Sequence, residues 1–150
     1  MAGAVVVPDA SVLLKWVLRS PDEQDQTPAL ALKTAWLDGA VDIVVPTLWF
    51  FEVGNVVGLK QPAAADALLQ AMVDLAMPEV PASSYATEAF HLMREHGVTF
   101  YDAAYHALAI ARDGTMLTAN RRYVTRCSSA GHVGLIAGWR PPGSGSGAGA

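Results

Sequence analysis

The sequence predicts an α/β domain, doubly wound around a mainly parallel central sheet in three α/β/α layers. Three observations predict it. Strand-like and helix-like segments alternate along the 150 residues, as they do when crossover helices join parallel strands. The first segment, Ala4 to Ser11 (A-V-V-V-P-D-A-S), carries three consecutive valines with apolar flanks, the composition of a strand buried on both faces. That strand ends on a carboxylate, Asp9, and ligands of open α/β sheets collect in the crevice outside the carboxyl ends of the strands.

Each further element follows from local pattern. Val12, Leu13, Trp16 and Val17 recur at helical spacing over Ala10 to Leu18, and Ser20 to Gln26 is a polar link. Thr27 and Pro28 form an N-cap and first-turn pair for a helix carrying Leu30, Leu32 and Trp36, which Gly39 ends. Val41 to Val45 is a second strand closed by Pro46, and Thr47 caps a helix through L-W-F-F-E-V-G-N-V-V. Pro62 opens an alanine-rich helix that ends before Pro78. Ser83 to His96 is a serine-capped helix stopped by Gly97. Thr99 caps the next, whose apolar side is Ala104, Ala107, Leu108 and Ala111. A strand at Thr115 to Thr118, a short helix at Asn120 to Cys127 and a strand at Val133 to Ala137 complete a domain over residues 1–140. Pro141 to Ala150, P-P-G-S-G-S-G-A-G-A, is a flexible tail.

Apolar residues make up 52% of the chain and charged ones 16%, which argues against disorder. The single Cys127 cannot form an internal disulfide and lacks metal-ligand spacing, which fits a reducing, cytoplasmic setting. The N-terminus has no charged region of a signal peptide. The most apolar tract, Ile43 to Leu59, is broken by Pro46, Glu52, Asn55 and two glycines, which argues against a membrane span.

The net charge of −4 is unevenly placed. Residues 1–80 hold 4 basic and 10 acidic side chains, and residues 81–111 hold 1 and 3. Residues 112–140 hold Arg112, Arg121, Arg122, Arg126 and Arg140 against Asp113 alone. A C-terminal third of this charge can hold a polyanion while an acidic centre elsewhere does chemistry. Solvated surface arginines are the equally weighted alternative.

Three acids are candidates for that centre. Asp9 and Asp102 each have an ordinary role open to them, as a helix cap and as a first-turn acid. Glu52 is harder to place, because its helical neighbours are Leu48, Trp49, Asn55 and Val56, and an unpaired carboxylate in an apolar layer costs several kcal/mol. If the three converge at about 5 Å, each pair repels by roughly 3 kcal/mol at an effective dielectric near 20. Such a cluster needs shared protons or a divalent ion, and oxygen-only ligands indicate Mg²⁺ or Mn²⁺ rather than zinc. His106, one turn after Asp102, is expected at the surface, and His91, His96 and His132 have no assigned partner.

Four segments together resemble the PIN-domain ribonucleases, and within them the VapC toxins of bacterial toxin–antitoxin pairs. They are V-V-P-D-A-S-V-L-L-K-W around Asp9, F-F-E-V-G-N-V-V around Glu52, T-F-Y-D-A-A-Y-H-A-L-A around Asp102 and M-L-T-A-N-R-R-Y around Asn120. They come in family order and cover residues 4–137. The resemblance implies that Asp9, Glu52 and Asp102 are metal ligands, directly or through water, with Ser11, Asn55 and Thr118 as supporting polar groups. One position departs from the family pattern T-x-D: it is Asn120, whose amide oxygen can ligate but brings no charge, so a second cation should bind more weakly.

The implied chemistry is metal-dependent hydrolysis of an RNA phosphodiester, with Asp9, Glu52, Asp102 and Asn120 at the centre and Arg121 and Arg122 on neighbouring phosphates. A homodimer and a VapB-like antitoxin, whose extended segment lies over an apolar groove, are the implied protein partners. Two other strand-end aspartate classes fit poorly. A haloacid-dehalogenase-type phosphatase needs a second aspartate where Ser11 stands, and a response-regulator receiver needs a late lysine, whereas no lysine follows Lys60. The serious alternative is a PIN fold with weakened turnover that binds RNA or a protein partner, and Asn120 keeps that reading open.

Overall fold

The computed structural model describes residues 3–19 and 24–143. The expected link at 20–23 and the tail from 144 onward lie outside the described residues. Six strands and seven helices alternate over the described residues: β1 (Ala4–Pro8), α1 (Ala10–Val17), α2 (Gln26–Leu37), β2 (Val41–Ile43), β3 (Val45–Pro46), α3 (Leu48–Lys60), α4 (Ala65–Asp74), β4 (Glu79–Val80), α5 (Ala86–His96), α6 (Phe100–Ala111), β5 (Thr115–Thr118), α7 (Arg121–Cys127) and β6 (Val133–Leu135). Four strands form a wholly parallel sheet in the order β2-β1-β5-β6, and β3 and β4 form a separate parallel pair. Helices cover the sheet in the three-layer arrangement expected of the family pattern.

The strand order places the site. From β1 the chain steps outward to β2 on one side, and later returns to lay β5 and then β6 on the other. The switch therefore falls between β1 and β5, where the crevice at the carboxyl ends opens. Val6, Val7 and Pro8 are buried in succession, as a central strand requires. Gly114 leads into β5 so closely under β1 that an added Cβ would sit 2.5 Å from the Val5 carbonyl oxygen. Only glycine allows that approach.

The central helix is α6. Ala103 to Ala109 are all buried, because the alanines at Ala103, Ala104, Ala107 and Ala109 let the helix lie close against β1, β5 and α5 on every side. Its start is the expected one: the Thr99 side chain caps it by accepting from the Asp102 backbone N–H at 3.1 Å.

Several expected boundaries differ. The single strand over Val41 to Val45 divides at Val44: the Val44 N–H still bonds to Val6, but the Val45 N–H turns to the Pro78 carbonyl and starts the β3–β4 pair. That pair, two residues per strand, carries no readable period, and β4 is absent from the sequence reading. Thr27 is not a cap; α2 begins at Gln26 after Asp25, whose φ of 62° places the backbone in the left-handed region. The Gln26 side chain instead donates to the carbonyls of Lys15 and Leu18, closing the end of α1. Thr47 and the serines before α5 likewise make no side-chain cap, and Pro62 belongs to a turn ahead of α4. The last strand stops at Leu135, and Ile136–Gly138 form a 3-10 turn.

Candidate active site

Asp9 closes β1 and opens α1. Its backbone N–H continues the ladder to Leu117 at 3.0 Å, and its side chain caps α1 through the Val12 N–H. Two hydroxyls are aimed at the carboxylate: Ser11 Oγ donates to Oδ1, and Thr118 Oγ1 donates to Oδ2 at 2.6 Å. A carboxylate oxygen accepts, which sets the direction of these bonds. Ser11 Oγ accepts from the Ala119 N–H at 2.9 Å and Thr118 Oγ1 from the Asn120 N–H at 3.0 Å, so the single proton of each faces Asp9. The cap role and the role at the centre thus coincide in one residue.

Glu52 projects from α3 toward the same place, and its Oε1 accepts a 2.6 Å hydrogen bond from the Tyr105 phenol on α6. Asp102, exposed in the first turn of α6, completes the set. Asp9, Ser11, Glu52, Asp102, Tyr105 and Asn120 line one cavity of about 210 Å³, with Tyr101 and Tyr123 in its wall. Acids from β1, α3 and α6 therefore meet at the switch point.

The electrostatics show what this costs. Burial pushes the Asp9 carboxyl above its ordinary value and outweighs the hydrogen bonds from Ser11, Thr118 and Val12 that favour the charged form. Burial also raises Glu52; the Tyr105 bond opposes this, while the charges of Asp9 and Asp102 add to it. Burial and the neighbouring carboxylates push the Tyr105 phenol far up, so it stays protonated and remains a donor.

The donor chemistry fits a hard divalent cation: the carboxylates, hydroxyls and amide of the cavity offer oxygen, with the Met116 thioether the one sulfur in the lining, and two of three carboxylates are held above their ordinary range by burial. Among the described residues no three His, Cys, Asp or Glu side chains stand close enough to ligate one ion together. One or two carboxylates with water completing the shell is the arrangement that Mg²⁺ favours.

A family model of the PIN domain matches residues 6–126, most of the chain. The chain belongs to the PIN-domain family. Members of this family are generally nucleases. No curated protein matches the chain. Two solved structures share the PIN fold of this protein at low sequence identity. A toxin–antitoxin complex from Klebsiella pneumoniae aligns with a TM-score of 0.61 and 16% identity over 87% of this chain and 97% of that one. The PAE2754 protein of Pyrobaculum aerophilum aligns with a TM-score of 0.61 and 20% identity over 91% of both chains.

Within this PIN domain the other sequence candidates separate. Asn120 stands at the cavity, but its Oδ1 accepts from the Tyr123 N–H at 3.1 Å and so caps α7. Asn55, one turn beyond Glu52, is exposed and outside the lining. Arg122 faces a second hollow that adjoins the cavity, whereas Arg121 is not among its lining residues and Arg126 is.

Two residues of the PIN domain escaped the sequence reading. Tyr105 lies three residues after Asp102, on the same helical face, a spacing that could have flagged it. His106 is fully buried, not at the surface: its ring nitrogens meet Tyr123 OH at 2.9 Å and the Gly131 carbonyl at 2.7 Å. A carbonyl only accepts, so Nε2 carries the proton and Nδ1 accepts from Tyr123, and burial lowers the ring's pKa and keeps it neutral. His106 thereby fixes Tyr123 in the cavity wall.

Proposed function

We propose that this PIN domain is a divalent-metal-dependent endoribonuclease, the VapC-type toxin of a cytoplasmic toxin–antitoxin pair. The observation that carries the reading is the meeting of Asp9, Glu52 and Asp102, from three separate elements, in one cavity at the β1–β5 switch point. Asp9, Glu52 and Asp102 are the residues that would hold the cation. When bound, Mg²⁺ or Mn²⁺ supplies the positive charge that offsets these acids, polarises an attacking water and stabilises the phosphate as it gains charge.

The chain's own residues do the rest. Ser11 and Thr118 orient both oxygens of Asp9, Tyr105 holds Glu52, and Asp102 at the mouth meets the incoming strand. Arg122, beside the cavity, carries charge suited to a phosphate of that strand.

The antitoxin partner is supported by the fold shared with a toxin–antitoxin complex. Its proposed seat, and that of a second copy in a homodimer, is the apolar surface around Phe50, Phe51 and Tyr101, which are 40%, 69% and 70% exposed. Trp49 is not part of that surface: it is 3% exposed and donates to Glu79 at 2.7 Å, so it belongs to the core.

A second reading, a PIN module that binds RNA with little turnover, is favoured by Asn120, whose amide oxygen is already spent on the α7 cap. Sequencing of 5′ ends after incubating RNA with purified protein and Mn²⁺ separates the two. Discrete cleavage sites that vanish with Asp9→Ala establish the nuclease, and bound but intact RNA establishes the alternative.

A further inference from the structure

The hollow beside the cavity has a charge opposite to it. Val98, Asp102, Asn120, Arg122, Tyr123 and Arg126 line about 340 Å³ of space, and three of these, Asp102, Asn120 and Tyr123, also line the carboxylate cavity. The two hollows therefore adjoin, and the lining changes from acidic to basic across Asn120. Its basic end lies in the stretch 112–140, where five arginines face a single aspartate.

Arg126 is held in place there. Its Nε–H donates to the His96 carbonyl at 2.8 Å, at the last residue of α5. Gly97 follows with a φ of +66°, and an added Cβ would come within 3.1 Å of Arg126 Nη2, so the bare glycine turn is what lets the guanidinium lie across it. The terminal nitrogens of Arg126 and the whole of the Arg122 guanidinium have no hydrogen-bond partner among the described residues. An anchored guanidinium with an open fork is the arrangement that takes a phosphate oxygen pair.

Resting on the nuclease reading, we infer that Arg126 and Arg122 form a subsite for the RNA phosphate flanking the scissile one, so that the strand leaves the carboxylates across Asn120 toward α7. This assigns the second phosphate contact to Arg126, not to Arg121. It also sends the strand away from the apolar surface around Phe51 and Tyr101, leaving that surface free for protein.

The test is binding of a fluorescein-labelled single-stranded RNA of roughly 12 nucleotides to the full chain in EDTA, read by anisotropy over a salt series. Arg126→Ala and Arg122→Ala are each expected to weaken binding by about tenfold and to flatten the salt slope by about 0.7, the loss of one phosphate contact on a single strand. Arg126→Lys keeps the charge but not the Nε–H bond to His96, and is expected to fall between wild type and Arg126→Ala. Arg121→Ala and Arg112→Ala remove the same charge elsewhere, Arg112 at the opposite end of α6, and are expected to change affinity by less than about twofold. Equal losses in Arg121→Ala and Arg126→Ala overturn the subsite and leave only net charge as the cause. Wild-type-like binding by both Arg122→Ala and Arg126→Ala overturns it while leaving the nuclease reading intact. A wild-type chain that neither binds RNA in EDTA nor cleaves it with Mn²⁺ sinks the nuclease reading and the subsite together.

Discussion

The Tyr105 phenol donates a 2.6 Å hydrogen bond to Glu52 Oε1, joining α6 to α3 across the cavity. The bond gives a half-buried acid a fixed direction in a setting where burial and two neighbouring acids disfavour its charge. Tyr105→Phe keeps the ring packing and removes only the donor. The expected result is a loss of about 1 kcal/mol in unfolding free energy and a roughly tenfold drop in single-turnover RNA cleavage with Mn²⁺. Denaturant unfolding and quenched-flow cleavage check the two halves separately.

Asn120 is the position at which this chain differs from the family pattern, and the change to aspartate is testable because both residues cap helices equally well. Asn120→Asp should retain the bond to the Tyr123 N–H. It adds a fourth carboxylate, so the Mn²⁺ concentration for half-maximal cleavage should fall by about tenfold, while the metal-free protein loses about 1 kcal/mol to the added repulsion. Unchanged Mn²⁺ dependence would show that the position does not face the ion.

The raised carboxyls predict how stability follows pH. The ordinary values are 3.8 for Asp9 and 4.5 for Glu52, and both are higher in the folded chain. The native state then binds more protons than the unfolded one between the ordinary and the raised value. Their stabilising contribution is full below the ordinary value and is lost as pH rises through the raised one. Glu52→Gln cannot titrate, so its metal-free Tm relative to wild type should climb as pH rises above the ordinary value of 4.5. Added Mn²⁺ should stabilise wild type at about pH 7 and leave the double variant Asp9→Asn, Glu52→Gln nearly unmoved.

His106 ties α6 to α7 and to the loop before β6 with its two ring nitrogens. His106→Ala should cost about 3 kcal/mol, from a buried cavity and a carbonyl and a phenol left unpaired. Its effect on cleavage should be recovered in part at low temperature, where the fold is intact. Differential scanning calorimetry alongside activity over a temperature series checks this.

Much of this architecture could be read from residues alone, and the parts that could not share a cause. The valine run of β1, the Thr115–Thr118 strand and the Thr99 cap are local patterns in which a residue's neighbours along the chain decide its conformation. Asp9 stands out in the sequence because it ends a buried strand and Glu52 because a carboxylate among apolar helical neighbours is costly, whereas exposed Asp102 is marked by the resemblance alone. The division of the strand at Val44 is different: it depends on the Pro78 carbonyl, more than thirty residues away, competing with Val6 for successive amides. The same holds for Tyr105 and His106, whose partners are chosen by the packing of α3, α7 and the Gly131 turn. Arg126 joins the site only because α5 ends beside α7.

The bond from Thr118 to Asp9 spans 109 positions of sequence, and β1 has its inner neighbour only once β5 exists. During translation at about 5–20 residues per second, the ribosome must therefore deliver nearly the whole chain before the acidic centre can assemble. A polypeptide arrested between α6 and β5 carries every one of the three acids and still lacks Thr118, which orients the first of them. On the proposed nuclease reading, this order of assembly leaves unfinished copies without a formed centre.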